Sequence, residues 1–193
     1  RNAGAHVRVT PFARDDKAST IALLEDALRG TDLLITIGGV SVGDHDVVRP
    51  ALESLGVTLD FWKVKLKPGK PLAVGHRGAT RVIGLPGNPT SAQVTFGLFG
   101  MPLLRAMQAD SHPTPTRLRA HLTQRIERAP GRLEFLRAVL EFRGTQLVVR
   151  ALQNQSSGAP TSMAMADCLL VVPSDSTCIE AGAEVDVIRL SDL

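Results

Sequence analysis

Three short segments carry the residue types that can grip an anion. The first is Gly38-Gly39-Val40-Ser41-Val42-Gly43-Asp44-His45-Asp46. Glycines without a Cβ let successive backbone N–H groups turn toward one point, and Ser41 adds a hydroxyl donor. Asp44 and Asp46 are out of place beside a phosphate unless a cation or a basic partner lies between, and magnesium commonly uses one or two carboxylates with phosphate oxygens. The second is Lys67-Pro68-Gly69-Lys70-Pro71, which reads as a stiff turn presenting two ammonium groups with little entropy left to lose. The third is Gly84-Leu85-Pro86-Gly87-Asn88-Pro89-Thr90-Ser91-Ala92, which leads a strand into a helix N-terminus, where free N–H groups suit an anion. Each has a plainer reading: a glycine turn with a capping aspartate, a surface turn with solvated lysines, a capped helix. Asp15-Asp16 offers either a charge pair at a helix start or one more carboxylate for a cation. Only in combination do the three segments favour a phosphate or oxyanion at one place.

Other chemistries find no support. The first segment is neither a Walker A loop nor a GxGxxG turn. The five histidines are dispersed without metal-ligand spacing, and Ser41 has no evident His/Asp partners for a triad. Cys168 sits in an apolar run, as an inert buried thiol would. Two cysteines are too few for a disulfide scaffold and fit a reduced, cytoplasmic setting. Net charge is +3, but the bases are interleaved with acids. Tyrosine is absent and tryptophan occurs once, which excludes a nucleic-acid surface built on stacking. No apolar run reaches the roughly 18 to 20 residues of a membrane span.

These segments need elements to hold them. Residues 1–110 alternate strand and helix signals: strands at His6–Thr10, Leu33–Ile37 and Val57–Val64, a hairpin of Leu72–Val74 and Arg81–Gly84 through Arg77-Gly78, and helices at Lys17–Arg29, Asp46–Leu55 and Ser91–Met107. This predicts an α/β domain, three-layered with a mostly parallel sheet. Ligands of such sheets bind beyond the carboxyl ends of the strands, where all three segments are expected. Residues 111–115 read as an extended linker between prolines. Beyond it, residues 116–193 carry short β-like runs at Arg117–Ile126, Glu134–Glu141, Gln146–Ala151, Cys168–Pro173 and Val185–Leu190. They are separated by glycine-bearing loops, and predict a small barrel-like all-β domain. The chain starts at Arg1, and its α/β part is expected to lack an opening strand and helix, as a piece of a longer protein would.

The three segments, in this order and spacing, resemble the molybdopterin molybdenumtransferases, the MoeA-type enzymes whose eukaryotic relatives include the E domain of gephyrin. The resemblance extends to Gly131-Arg132-Leu133-Glu134-Phe135-Leu136-Arg137-Ala138 and Gln153-Asn154-Gln155-Ser156-Ser157, and covers essentially the whole chain. It implies a molybdopterin-binding type of fold and molybdenum cofactor biosynthesis. Molybdate is inserted into the dithiolene of adenylylated molybdopterin, a divalent cation (magnesium) assists, and AMP is released. Carried over by position, Asp46 and Asp15 become the cation-linked, catalytic carboxylates, and Lys67 and Lys70 join them as catalytic residues. Gly38, Gly39, Ser41, Gly43, Pro71, Pro86, Gly87, Asn88, Pro89 and Ser91 surround the substrate, and Arg137 and Ser162 contact an oxyanion. The resemblance further implies a homodimer with a site shared between subunits and an upstream adenylyltransferase as a partner. Members carry further N-terminal domains, so a chain of this extent alone is expected to bind weakly or be inactive. Two other readings stay open: the adenylyltransferase that makes this substrate, and a non-catalytic gephyrin-like scaffold.

Overall fold

The structure is a computed structural model and describes residues 3–12, 16–39, 47–158 and 160–193. The chain divides into two compact units, Arg1–Val64 with Gly69–Asn88, and Lys65–Pro68 with Pro89–Leu193.

In the first unit, helix α1 (Lys17–Leu28) begins at Asp16, whose carboxylate accepts the Ser19 N–H at 2.8 Å as an N-cap. Strand β1 (Leu33–Ile37), helix α2 (Val48–Ser54) and strand β2 (Thr58–Trp62) follow. Leu24, Ala27 and Leu28 of α1, Ala51 and Leu52 of α2, and Leu34, Val57 and Val82 form one apolar core, so both helices cover the same sheet face. Strands β4 (Ala73–Arg77) and β5 (Thr80–Leu85) are a hairpin turning at Gly78, which takes the left-handed φ of 58° that such a tight turn needs. The sheet order is β1-β5-β4-β2. Its parallel pairing lies between β1 and β5; β5–β4 is antiparallel because a hairpin admits nothing else, and β4–β2 is antiparallel as well.

Residues 6–10 form no strand. Their apolar side chains stay outside, with Val9 82% exposed. Arg8 instead donates to the Asp26 and Ala27 carbonyls at the end of α1, at 2.8 and 3.0 Å. A β-prone run needs a neighbouring strand to bond to, and among the described residues none lies beside this one.

The second unit holds strand β3 (Leu66–Lys67) and a helical segment made of α3 (Pro89–Thr95), a π-helical turn (Phe96–Gly100) and α4 (Met101–Met107). The continuous helix expected over Ser91–Met107 is thus interrupted next to Pro102, which cannot donate to the carbonyl one turn back. Strands β6 (Leu118–Leu122), β8 (Leu133–Arg143), β9 (Gln146–Ala151), β10 (Cys168–Val172) and β12 (Glu184–Arg189) close into a five-stranded barrel in the order β10-β12-β6-β9-β8 and back to β10. Strand β3 is added outside this ring, on β8. Strands β7 (Ile126–Glu127) and β11 (Cys178–Ile179) pair separately, and a short helix, α5 (Thr161–Ala164), precedes β10. Alternate residues, among them Ala120, Leu122, Ala138, Val149, Cys168, Leu170, Val172, Val185 and Val187, fill the barrel interior.

Candidate functional site

In the first unit, the parallel pairing sets Ile37 opposite Leu85, so the two chains leave the sheet together. The Gly38 N–H donates to the Leu85 carbonyl at 2.9 Å, and a Cβ on Gly87 would lie 3.5 Å from the Gly38 Cα. Two of the three candidate segments therefore start side by side, backbone against backbone, at the carboxyl ends of adjacent strands. Gly38 and Gly39 both turn through positive φ, 79° and 67°, which only glycine adopts without strain. At Gly39 the space is closed as well: a Cβ would overlap Val48 Cγ2 and stand 2.9 Å from Val48 Cβ. Pro86 is buried, and Gly87, Asn88 and Pro89 are exposed. Ser41, Gly43 and Asp46, together with Asp15, lie outside the described residues. Asp16 serves as the cap of α1. Among the described residues, no three or more His, Cys, Asp or Glu side chains gather as a metal site.

The second segment is divided. Lys70 is exposed and Pro71 half-buried in a turn in which the Leu72 N–H donates to Gly69 O at 3.1 Å and the Val64 N–H to Lys70 O at 3.0 Å. Lys67 does not stand in that turn. It belongs to β3, opposite Glu134 of β8, because strand pairing captures it before the chain turns. Its ammonium lies 3.4 Å from a Glu134 carboxylate oxygen, and Arg128 Nη2 approaches the same oxygen at 3.6 Å. Ser91 is 4% exposed and sits inside the first turn of α3, which begins at Pro89 rather than at a Ser91 cap.

Arg137 and Ser162, far apart in sequence, meet. Arg137 is 1% exposed, on the side of β8 away from the barrel interior. Its Nε donates to Ser162 Oγ at 3.2 Å, and its Nη2 to the carbonyls of Ser156 and Asn154 at 3.1 and 3.4 Å. No carboxylate pairs with it among the described residues, and burial lowers its pKa below the usual arginine range. Gln155 fixes this loop: it accepts the Arg137 N–H at 3.0 Å and donates to the carbonyls of Arg137 and Leu152 at 2.9 and 2.7 Å. Among the described residues, the charge of this buried guanidinium is met by neutral oxygens alone. The roles of Glu134, Arg128 and Gln155 are missing from the sequence reading. The available signal was Glu134, a lone acid in the otherwise apolar Leu133–Leu136 stretch.

The chain is similar to known proteins over most of its length. Residues 1–106 match the family described as "Probable molybdopterin binding domain", and residues 119–190 match the "MoeA C-terminal region (domain IV)". The chain belongs to this molybdopterin-binding domain family, in its MoeA-type form. It is 35% identical to molybdopterin molybdenumtransferase 2 of Mycobacterium tuberculosis over 197 aligned residues, covering 97% of this chain and 47% of that protein. It is also 35% identical to molybdopterin molybdenumtransferase of Haemophilus influenzae, over 81% of this chain and 39% of that protein. The crystal structure of a molybdopterin biosynthesis MoeA protein from Pyrococcus horikosii superimposes with a TM-score of 0.73 at 31% identity, covering 92% of this chain and 42% of that one. The chain thus spans about half the length of the relatives it matches.

Proposed function

We propose that this chain forms the greater part of the substrate site of a molybdopterin molybdenumtransferase, which inserts molybdate into the dithiolene of adenylylated molybdopterin and releases AMP. The observation that carries the reading is the side-by-side departure of Gly38-Gly39 and Pro86-Gly87 from adjacent parallel strands. Two glycine-rich turns at one sheet edge suit a pyrophosphate. The relatives named molybdopterin molybdenumtransferase support it, and the barrel matched to the MoeA C-terminal region weighs against the adenylyltransferase reading.

In this reading Gly38, Gly39, Ser41, Gly43, Pro86, Gly87, Asn88 and Pro89 cradle the phosphates. Lys67, Lys70, Pro71 and Ser91 flank the pyrophosphate and molybdate, and Arg137 and Ser162 contact an oxyanion. Asp46 and Asp15 hold a divalent cation, magnesium, which when bound offsets the charge of the phosphates. Positive charge on the lysines and Arg137 offsets the repulsion between two anionic substrates. The whole protein acts in the cytoplasm as a homodimer that completes the site, and receives its substrate from an adenylyltransferase. The test is incubation of the full-length protein with adenylylated molybdopterin, molybdate and magnesium. Magnesium-dependent release of AMP is expected, and its absence overturns the proposal.

A further inference from the structure

Glu134 is an unusual residue to find where it is. Its side chain is 8% exposed, on a strand whose neighbours are apolar, and burying a carboxylate is costly unless it is compensated. Two cations compensate it. Arg128, itself 6% exposed, is pinned by carbonyls: Nη1 donates to Val172 O at 3.2 Å, Nε to Ala129 O at 3.2 Å and Nη2 to Arg132 O. With its donors so placed, Arg128 does not depend on Glu134 for hydrogen bonding and serves as a fixed support for the carboxylate. The other cation is Lys67, whose side chain is 47% exposed and whose ammonium lies closer to Glu134 Oε1, at 3.4 Å, than the Arg128 guanidinium does at 3.6 Å. The β3–β8 register sets Lys67 and Glu134 directly opposite each other, so the two side chains leave the same face of the pair.

We propose that Glu134 is the positioning residue for Lys67, holding one flexible, solvent-reaching ammonium in a single orientation for the anion it serves. This rests on the reading of Lys67 as a substrate-binding lysine. A lysine has four rotatable side-chain bonds, and ordering it on binding is costly; a fixed carboxylate beneath it removes that cost before the ligand arrives. The same carboxylate attenuates the lysine's charge, so the benefit falls on orientation during transfer more than on ground-state affinity.

The experiment uses the full-length protein with Glu134→Gln, Lys67→Ala and the double variant. Lys67 acetylation by an N-hydroxysuccinimide ester, followed by peptide mass spectrometry, reads the contact without reference to activity. AMP release reads kcat and KM. Glu134→Gln is expected to speed Lys67 acetylation severalfold and to lower kcat roughly 10- to 100-fold, with KM changed far less. In the Lys67→Ala background it is expected to have no further effect. Because Glu134→Gln leaves Arg128 without its carboxylate, folding is checked by circular dichroism. Glu134→Asp, which keeps the charge but shortens the reach to Lys67, is expected to fold and to show the same changes in smaller measure. Unchanged acetylation in both variants overturns the contact. A kcat loss that persists in the Lys67→Ala background overturns the positioning role. A wild type that releases no AMP overturns the functional reading and the catalytic half of this proposal with it, while acetylation still decides whether Glu134 holds Lys67.

Discussion

The glycine turn after β1 makes a quantitative demand on Gly39. Its φ of 67° is left-handed, and placing an alanine there costs about 1–2 kcal/mol. The new Cβ would also overlap Val48 Cγ2 and stand 2.9 Å from Val48 Cβ. Val48 opens α2, and a β-branched side chain in a helix has one strongly preferred rotamer. Rotation therefore relieves little, and Val48 Cβ does not move with it at all. Overpacking of this kind costs about 1–3 kcal/mol. Gly39→Ala should therefore destabilise by about 2–5 kcal/mol, a fall in melting temperature of roughly 4–20 °C at about 2–4 °C per kcal/mol. Thermal unfolding followed by circular dichroism measures it, and a mutant cycle separates the two contributions. In a Val48→Ala background the overlap with Cγ2 is gone and the φ cost remains, so Gly39→Ala should cost distinctly less there. A melting temperature within a degree of wild type would refute the turn geometry, and an equal cost in both backgrounds would refute the contact with Val48.

Three further outcomes are expected, the first resting on the proposed function and the other two on the structure. Lys67→Ala removes a charged donor and should weaken binding of adenylylated molybdopterin by about 1.5–3 kcal/mol, roughly 10- to 150-fold; calorimetric affinity equal to wild type would make Lys67 a solvated strand residue. Cys168 is fully buried, and burial first, then the Asp167 carboxylate, pushes its thiol up to about 12, so a thiol reagent at pH 8 should modify the partly exposed Cys178 and spare Cys168; mass spectrometry finding Cys168 modified in the folded protein would contradict this. Arg119 binds Glu184 at 2.7 Å and Asp186 at 2.8 Å, and its hydrogen bonds hold both carboxyls below their ordinary values of 4.5 and 3.8. Depressed carboxyl values stabilise the fold above the ordinary values and lose that contribution as pH falls through the lowered ones. The melting-temperature gap between wild type and Arg119→Ala should therefore be present at pH 7, narrow below about pH 4 and shrink in high salt; a gap independent of pH would contradict it.

What the sequence made legible was what local chemistry decides. Leu33–Ile37 is apolar throughout and ends in two glycines, so both the strand and the turn after it could be read directly. The β4–β5 hairpin carried its own turn residue in Gly78, and the barrel strands showed as short β-like runs between glycine-bearing loops. What escaped depends on distant partners. Lys67 looked like a turn lysine because its strand is only two residues long and exists through β8, more than sixty residues later. Residues 6–10 had the propensity of a strand without a neighbour to bond. Arg137 and Ser162 could be named by resemblance, but their hydrogen bond depends on how the 152–158 loop, tied by Gln155, wraps the outer face of β8. Glu134 escaped for the same reason: a buried acid becomes intelligible only when its two cations are in view.

In the proposed reaction the arrival of molybdenum and the departure of AMP are one coupled event. Its most direct measurement is a single turnover of the full-length protein with adenylylated molybdopterin, molybdate and magnesium. Molybdenum retained on the dithiolene and free AMP are quantified on the same sample. The two are expected in equal amounts, and neither is expected without magnesium. AMP released without molybdenum incorporation, or consumption of ATP with free molybdopterin in its place, would contradict it.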